Sequence, residues 1–385
     1  MNVGLVFGGP SVEHDISIIT AMQIYASINK NKYNVFPIYY SKTKKFYLVP
    51  NFGSIKNIER DIKILEEITI NRLGVKKWGN FRKIKQLDCV IGAFHGKNTE
   101  GGELAGFFET LGIPYSFNSV LGASLGQDKI IMKKVLNFDK INVLPFVSFN
   151  SEEFNKNQAY FIDQINELNY PVIVKPSQLG SSIGIKKVND EKELKKALNY
   201  AFKYDDFIIV EKGLENFREF NCAIFKNTVS EIEEVEVKSD IFTFEDKYQT
   251  HESKHLLPAL IDDQLKEKII DMTIKTSQSL RNESIARIDF LYDKDENEIY
   301  VNEINTIPGA LSYYLFESKG IYFDELLDML ITETMKRNYK KKLLLNHFSS
   351  SVLDNPNGLK MKKWVNKYVY SFFYLLFKFY IRELW

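Results

Sequence analysis

The sequence predicts an α/β protein whose N-terminal region is built on a parallel sheet, and three observations carry that expectation. Apolar strand-like runs alternate with helical patterns along most of the chain. The 385 residues are 44% hydrophobic and 26% charged, enough for two or three domains with cores of their own. The first apolar run, Val3 to Phe7 by number 3–7, leads directly into a helical pattern.

The elements follow in order. Runs 3–7, 33–40 and 87–94 read as strands of a first parallel sheet, and a helix beginning near Ser11 to His14 places Ile18, Ile19, Met22 and Tyr25 at helical spacing. Residues 104–111 read as another helix, and Ile113-Pro114-Tyr115 as a short strand closing the first region. From Ser119 a helix containing Asp128 and Lys129 is expected, then strands at 145–149, 171–175 and 207–211. A third block, 218–330, carries two strands with unusual polar residues. The expected division is 1–118, 119–210, 211–340 and a tail, 341–385. No repeats or low-complexity linkers separate these regions, so close packing is expected.

Lys and Arg number 51 against 50 Asp and Glu, so no global pull toward nucleic acid is expected. The two cysteines, Cys89 and Cys222, lie in apolar runs and read as reduced core residues. The chain opens on a strand, without a basic segment leading into an apolar stretch and a small-residue cleavage site, so a cytoplasmic protein is expected.

The chemistry concentrates in Ala286-Arg287-Ile288-Asp289-Phe290 and Tyr300-Val301-Asn302-Glu303-Ile304-Asn305-Thr306-Ile307-Pro308-Gly309. Side chains alternate along a strand, so Arg287 and Asp289 share one face and Glu303 and Asn305 share another. Two carboxylates and an amide oxygen are hard ligands suited to Mg²⁺ bridging nucleotide phosphates. The adjacent arginine could stabilise a developing oxyanion. A buried ion pair between neighbouring strands is the plainer alternative.

Upstream, the apolar run ending in Lys175 meets the loop Gln178-Leu179-Gly180-Ser181-Ser182-Ile183-Gly184. Glycines let backbone N–H groups turn toward an anion, the serines add donors, and the lysine adds a point charge. The loop lacks the lysine of a P-loop after its glycines, and by itself it is a weak signal. Further on, 206–214 is an apolar strand running into Glu211 and Leu214, whose end can face a purine edge, and Glu219 could accept from ribose hydroxyls. Each acid taken alone reads equally well as a solvated surface group.

The order lysine, glycine loop, strand-end acid, second acid, Arg-x-Asp, Glu-x-Asn resembles the ATP-grasp superfamily, and within it the D-alanine–D-alanine ligase family. The resemblance covers about residues 1–335. It includes Phe7-Gly8-Gly9-Pro10-Ser11-Val12-Glu13-His14-Asp15-Ile16-Ser17, then Phe94-His95-Gly96 with Glu100, Gly102 and Gly106, and later Asp128-Lys129 and Lys247-Tyr248. It implies a three-domain ATP-grasp architecture: an N-terminal substrate-binding domain, a central subdomain, and a C-terminal subdomain with the metal site.

It also implies residue roles. Lys129, Lys175 and Lys247 would contact ATP phosphates; Glu211, Leu214 and Glu219 would hold adenine and ribose; Asp289, Glu303 and Asn305 would hold two Mg²⁺ ions, with Mn²⁺ as an alternative. Glu13 would bind the ammonium of the first amino acid, with Ser181 and Tyr248 completing a triad that closes a loop. His95 would lie near the first substrate, and Arg287 with the Gly309 N–H would form the oxyanion site. The plainer alternatives are a satisfied strand-end His95 and a Glu13 favoured by the helix dipole. The implied reaction is ATP-dependent ligation of two amino acids through an acyl phosphate, D-alanine first and D-alanine second, for peptidoglycan precursors, in a homodimer.

Three departures bear on the second substrate and the tail. Tyr314 stands where the family usually has a serine that meets the second substrate's carboxylate, and Gly101 and Ala105 replace an acid and an amide. Lys247-Tyr248 favours an amine over a hydroxy acid as nucleophile. Residues 340–385 extend beyond the family's usual end, with lysines leading into the aromatic stretch 368–381. Ten uncharged residues between Lys367 and Lys378 are too few to span a bilayer, which leaves a membrane-surface or partner contact or an extra packed helix. The competing readings are a ligase for a different acid–amine pair and a nucleotide-binding protein without turnover. Gly8-Gly9 lacks the fingerprint a dehydrogenase would need.

Overall fold

The structure, a computed structural model, describes residues 1–50, 52–53, 65–77, 79, 84–236 and 254–345. Lys247, Tyr248 and the aromatic stretch of the tail therefore lie outside the described residues. Residues Met1–Lys336 form one compact unit; of the second, Arg337–Trp385, only the end of a helix and its following turn are described. Among the described residues no helix is long and apolar enough to cross a membrane.

The first sheet has seven strands, and its centre is parallel as expected. Asn2–Gly8 lies between Asn34–Tyr40 and Cys89–Ala93 and pairs parallel with both. These strands are apolar on both faces because helix His14–Ser27 and helix Glu103–Leu111 cover the sheet. Beyond Asn34–Tyr40 the sheet continues antiparallel through Phe46–Leu48, Glu66–Asn71, Gly74–Lys77 and Ile84–Lys85. Strands of two to six residues are too short to give a clear period, which is why the sequence reading passed over them. The expected strand at Tyr115 is a single parallel bridge to Val90.

The helix expected from Ser119 is two helices, Val120–Gln127 and Lys129–Phe138. Asp128 stands between them in extended backbone, and its carboxylate accepts from the Ile130 and Ile131 N–H groups, both at 3.0 Å. The same carboxylate accepts from Ser177 Oγ at 2.8 Å, so the helix cap also ties down the start of the glycine loop.

A second, antiparallel sheet runs Lys186–Val188, Val172–Pro176, Phe207–Lys212, Phe146–Asn150. A third runs Lys254–Leu256, Thr228–Glu236, Phe217–Phe225, Ile285–Asp293, Glu298–Asn305. In this third sheet the sequence expectation is corrected. Arg287 pairs with Asn305 and Asp289 with Glu303, so all four polar residues share one face. Alternation along one strand fixes which residues go together, but only the register between strands says that both sets face the same way. The opposite face, with Ile288, Phe290 and Ile304, packs into a core beneath helix Asp263–Ser279.

If Asp128 holds helix and loop together, Asp128→Ala should cost about 1–2 kcal/mol of stability, while Asp128→Asn, which can still cap, should retain most of it. Thermal unfolding of both variants reads this directly, and equal midpoints for wild type and Asp128→Ala would refute it.

Candidate active site

Three connected chambers are lined by the candidate residues. The first is walled by Lys129, Lys175, Glu211, Leu214 and Glu219 together with the glycine loop 180–182. The second is walled by Glu13, His95, Arg287, Glu303, Asn305, Gly309 and Tyr314. The third lies over the third sheet, where Glu13, Ser181, Glu219, Asp289 and Tyr314 meet. Every sequence-predicted residue that is described thus lines one of the three.

The first chamber is organised by a buried carboxylate. Glu211 accepts from Lys175 Nζ at 2.7 Å and pairs with Lys133 Nζ at 3.2 Å. Burial alone would raise its pKa, but the two lysines outweigh that and hold the carboxyl below its ordinary value. Burial pushes Lys133 down, against the attraction of Glu211. Two ammonium groups share one carboxylate, so the cluster retains a positive excess suited to a phosphate. The Glu211 side chain is therefore committed to the two lysines, while the residue still lines the first chamber. Lys133 was missed by the sequence reading, although Lys129 and Lys133 lie four apart on one helix and so share a face. Lys129 donates to the Leu179 carbonyl at 2.8 Å and pairs with Glu303 at 3.3 Å.

The metal candidates share one face of the third sheet. Asp289 takes a two-pronged contact from Arg287, Nε at 2.6 Å and Nη2 at 2.8 Å, and Asn305 Nδ2 donates to it at 3.0 Å. Burial opposes the guanidinium charge, but Asp289 overrides it and holds the pKa of Arg287 above its ordinary range. The ion-pair alternative thus holds in part, within one strand rather than between two. Among the described residues there is no cluster of three or more His, Cys, Asp or Glu side chains arranged for a metal. The protein's donor set is two carboxylates and one amide, which fits a hard cation that takes its remaining ligands from phosphate and water.

The first-domain loops complete the site. Ser181 Oγ donates to Glu13, joining the glycine loop to the first helix. Gly180 and Gly96 make room for this contact: a Cβ on Gly96 would lie 2.4 Å from Glu13 Oε2, and Gly96 has φ +79°. His95 is a satisfied histidine, as the plainer reading held, with Nδ1 2.8 Å from the Ile307 carbonyl and Nε2 2.9 Å from Thr20 Oγ1. It nonetheless lines the second chamber and fixes the loop before Gly309. Glu100 accepts from Gly96 N, Thr306 Oγ1 and Ile307 N, all within 3.0 Å, and burial raises its pKa.

Tyr314 OH donates to Glu233 Oε2 at 3.0 Å, beside Asn221 Nδ2 at 3.0 Å, while His255 Nδ1 lies 2.8 Å from Oε1. Glu233, Asn221 and His255 also escaped the sequence reading, because the run Ser230-Glu231-Ile232-Glu233-Glu234 reads as a solvated strand.

Comparison with known proteins agrees in both halves of the chain. The family model described as "D-ala D-ala ligase N-terminus" matches residues 2–116, and "D-ala D-ala ligase C-terminus" matches 135–332. A D-alanine–D-alanine ligase of Thermosipho africanus is 39% identical over 376 residues, covering 94% of this chain and all of the relative. That coverage must enter the segment 340–385, so the tail is not wholly foreign to the family. Among solved structures, the VanG D-Ala:D-Ser ligase of Enterococcus faecalis is 30% identical, with TM-score 0.76, over 86% of this chain and 99% of its own. A D-alanine–D-alanine ligase of Bacillus anthracis complexed with ATP is 25% identical, with TM-score 0.66, over 89% and 99%.

The Glu233–His255 contact makes stability depend on pH. Hydrogen bonding to Glu233 raises the pKa of His255 above 6.5, so its contribution is complete below about pH 6.5 and fades as pH rises through the raised value. Burial would raise Glu233, but His255 and Asn221 hold it below 4.5, so its contribution is complete above about pH 4.5 and fades as pH falls through the depressed value. The melting-temperature difference between wild type and His255→Ala should be largest between these limits and shrink as pH rises above them. A difference that grows toward alkaline pH would contradict the pairing.

Proposed function

The chain belongs to the D-alanine–D-alanine ligase family, and from that premise we propose that it joins two D-alanine molecules into the dipeptide for peptidoglycan precursors, with ATP converted to ADP and phosphate. The observation that carries the proposal is the single sheet face on which Arg287, Asp289, Glu303 and Asn305 meet, next to the lysine cluster and the Gly309 loop. We assign the segments 1–118, 119–210 and 211–340 to the substrate domain and the two ATP-clasping subdomains, and we place the reaction in the cytoplasm.

Asp289, Glu303 and Asn305 would hold two Mg²⁺ ions, which would supply charge neutralisation for the transferring phosphate. Lys129 and Lys175 orient the phosphates, and Lys133 maintains the positive excess behind them. Leu214 and Glu219 border the nucleotide chamber, where Glu219 can accept from ribose hydroxyls. Glu13, anchored by Ser181, receives the ammonium of the first amino acid in the chamber that His95 and Gly309 wall.

The carboxylate of that amino acid attacks the γ-phosphorus, the bond to the β-γ bridging oxygen breaks, and an acyl phosphate forms as ADP leaves. The amine of the second amino acid then attacks the activated carbonyl. Arg287 and the Gly309 N–H stabilise the tetrahedral oxyanion, which collapses with loss of phosphate and of the amine's proton. Water must be kept out, because acyl phosphates hydrolyse; the Glu13–Ser181 contact holds the glycine loop over the site for that purpose. Lys247 and Tyr248 are assigned to the same closure, the first as a phosphate contact and the second as the triad's third member.

A second reading, D-alanine joined to a different amino acid, is favoured by Tyr314 in the chamber wall and by the likeness to a D-Ala:D-Ser ligase.

Measuring ADP release with D-alanine alone and with paired D- and L-amino acids tests both readings; no release with any pair would refute ligation. Asp289→Asn and Glu303→Gln should each abolish ADP formation without loss of fold, and full activity in both would refute the metal assignment. Arg287→Ala should lower the ligation rate by about 10²–10³ with far less effect on ATP affinity. Loss of nucleotide affinity at an unchanged ligation rate would contradict its assigned role.

A further inference from the structure

Glu233 is 2% exposed and does not itself line the chambers, yet all three groups bonded to it do. Tyr314, Asn221 and His255 come from three different elements: the helix after Gly309, the strand Phe217–Phe225 and the strand Lys254–Leu256. A carboxylate can only accept, so the amide NH₂ of Asn221 and the phenol proton of Tyr314 must both point to it. Cross-strand register extends the pattern: Glu233 faces Asn221, Asn221 faces Asp289, and Asp289 faces Glu303, one row across four strands. The amide of Asn221 is drawn to Glu233 although its Oδ1 is left without a partner, an arrangement that costs free energy.

Tyr314 lines both the second and the third chamber, as Arg287 does. On the ligase reading, the amine that attacks beside Arg287 belongs to a molecule held in the space that Tyr314 helps to wall. Without its hydrogen bond the phenol ring could turn out of the chamber, and the space beside the oxyanion site would widen.

We propose that Glu233 is a positioning residue for second-substrate specificity, holding Tyr314 across the chamber so that only a small amino acid fits beside Arg287. The proposal rests on the ligase reading above. It places selection of the second amino acid in a buried carboxylate that touches neither substrate.

The test is ligation of D-alanine with a competing panel of larger D-amino acids, with dipeptides identified by mass and ADP release followed in parallel. Tyr314→Phe and Glu233→Leu should each lower the preference for D-alanine over larger amino acids at the second position by about tenfold. The KM for ATP should stay within about twofold, and the double variant should equal either single one. A merely structural role would instead lower all rates together and leave the preference unchanged. If Glu233→Leu does not fold, Tyr314→Phe, which removes a single oxygen, decides the matter under the same expectation. Turnover with unchanged second-position preference, or additive effects in the double variant, overturns this proposal alone; wild-type protein that releases no ADP with any pair overturns the ligase reading and this proposal together.

Discussion

The constraint on which the site depends is the antiparallel register of strands Thr228–Glu236, Phe217–Phe225, Ile285–Asp293 and Glu298–Asn305. It aligns Glu233, Asn221, Asp289 and Glu303 in one row, with Arg287 and Asn305 beside it on the same face. A slip of one residue in any of the pairings would send part of this row into the apolar core. The core prevents that slip, because Ile288, Phe290 and Ile304 would have to leave it in exchange. Burial of apolar side chains on one face thus fixes the positions of charged groups on the other.

Charge compensation explains how so many ionisable groups coexist there. Asp289 is matched by Arg287, Glu303 by Lys129, and Glu211 by Lys175 and Lys133. An unpaired buried charge would be strongly destabilising, and each of these three carboxylates has a cation within 3.3 Å. The surplus falls on the lysine side of the first chamber, and Asp289 and Glu303 lie together on the face of the third sheet.

The first region contributes through loops that grip the third sheet. His95 spans Thr20 and the Ile307 carbonyl, and Glu100 ties Gly96 to Thr306 and Ile307. Beyond Pro308, residues Ala310, Leu311 and Ser312 all adopt left-handed backbone, a strained run for side chains other than glycine. The Ala310 N–H donates to Thr20 Oγ1 at 3.1 Å, which helps hold that turn next to Gly309. The Gly309 loop is therefore shaped by contacts from a segment nearly three hundred residues earlier in the chain.

Several features were legible in the sequence alone. The central parallel strands, the strand-bearing Arg287 and Asp289, the lysine before the glycine loop, and the family itself follow from local period and motif order, properties that act within a few residues. The break at Asp128 was hidden because a capping aspartate inside a helical pattern looks like any other polar position. Lys133 and Glu233 were hidden because a charged residue on a helix or strand reads as solvated until its partner is known, and their partners lie 78 and 81 positions away in Glu211 and Tyr314. The common face of the Arg-x-Asp and Glu-x-Asn motifs was likewise decided by pairing between strands. Sequence determined which chemical groups the protein has and in what order; tertiary structure decided which charges are buried together, because electrostatic and hydrogen-bond energies depend on separation in space rather than along the chain.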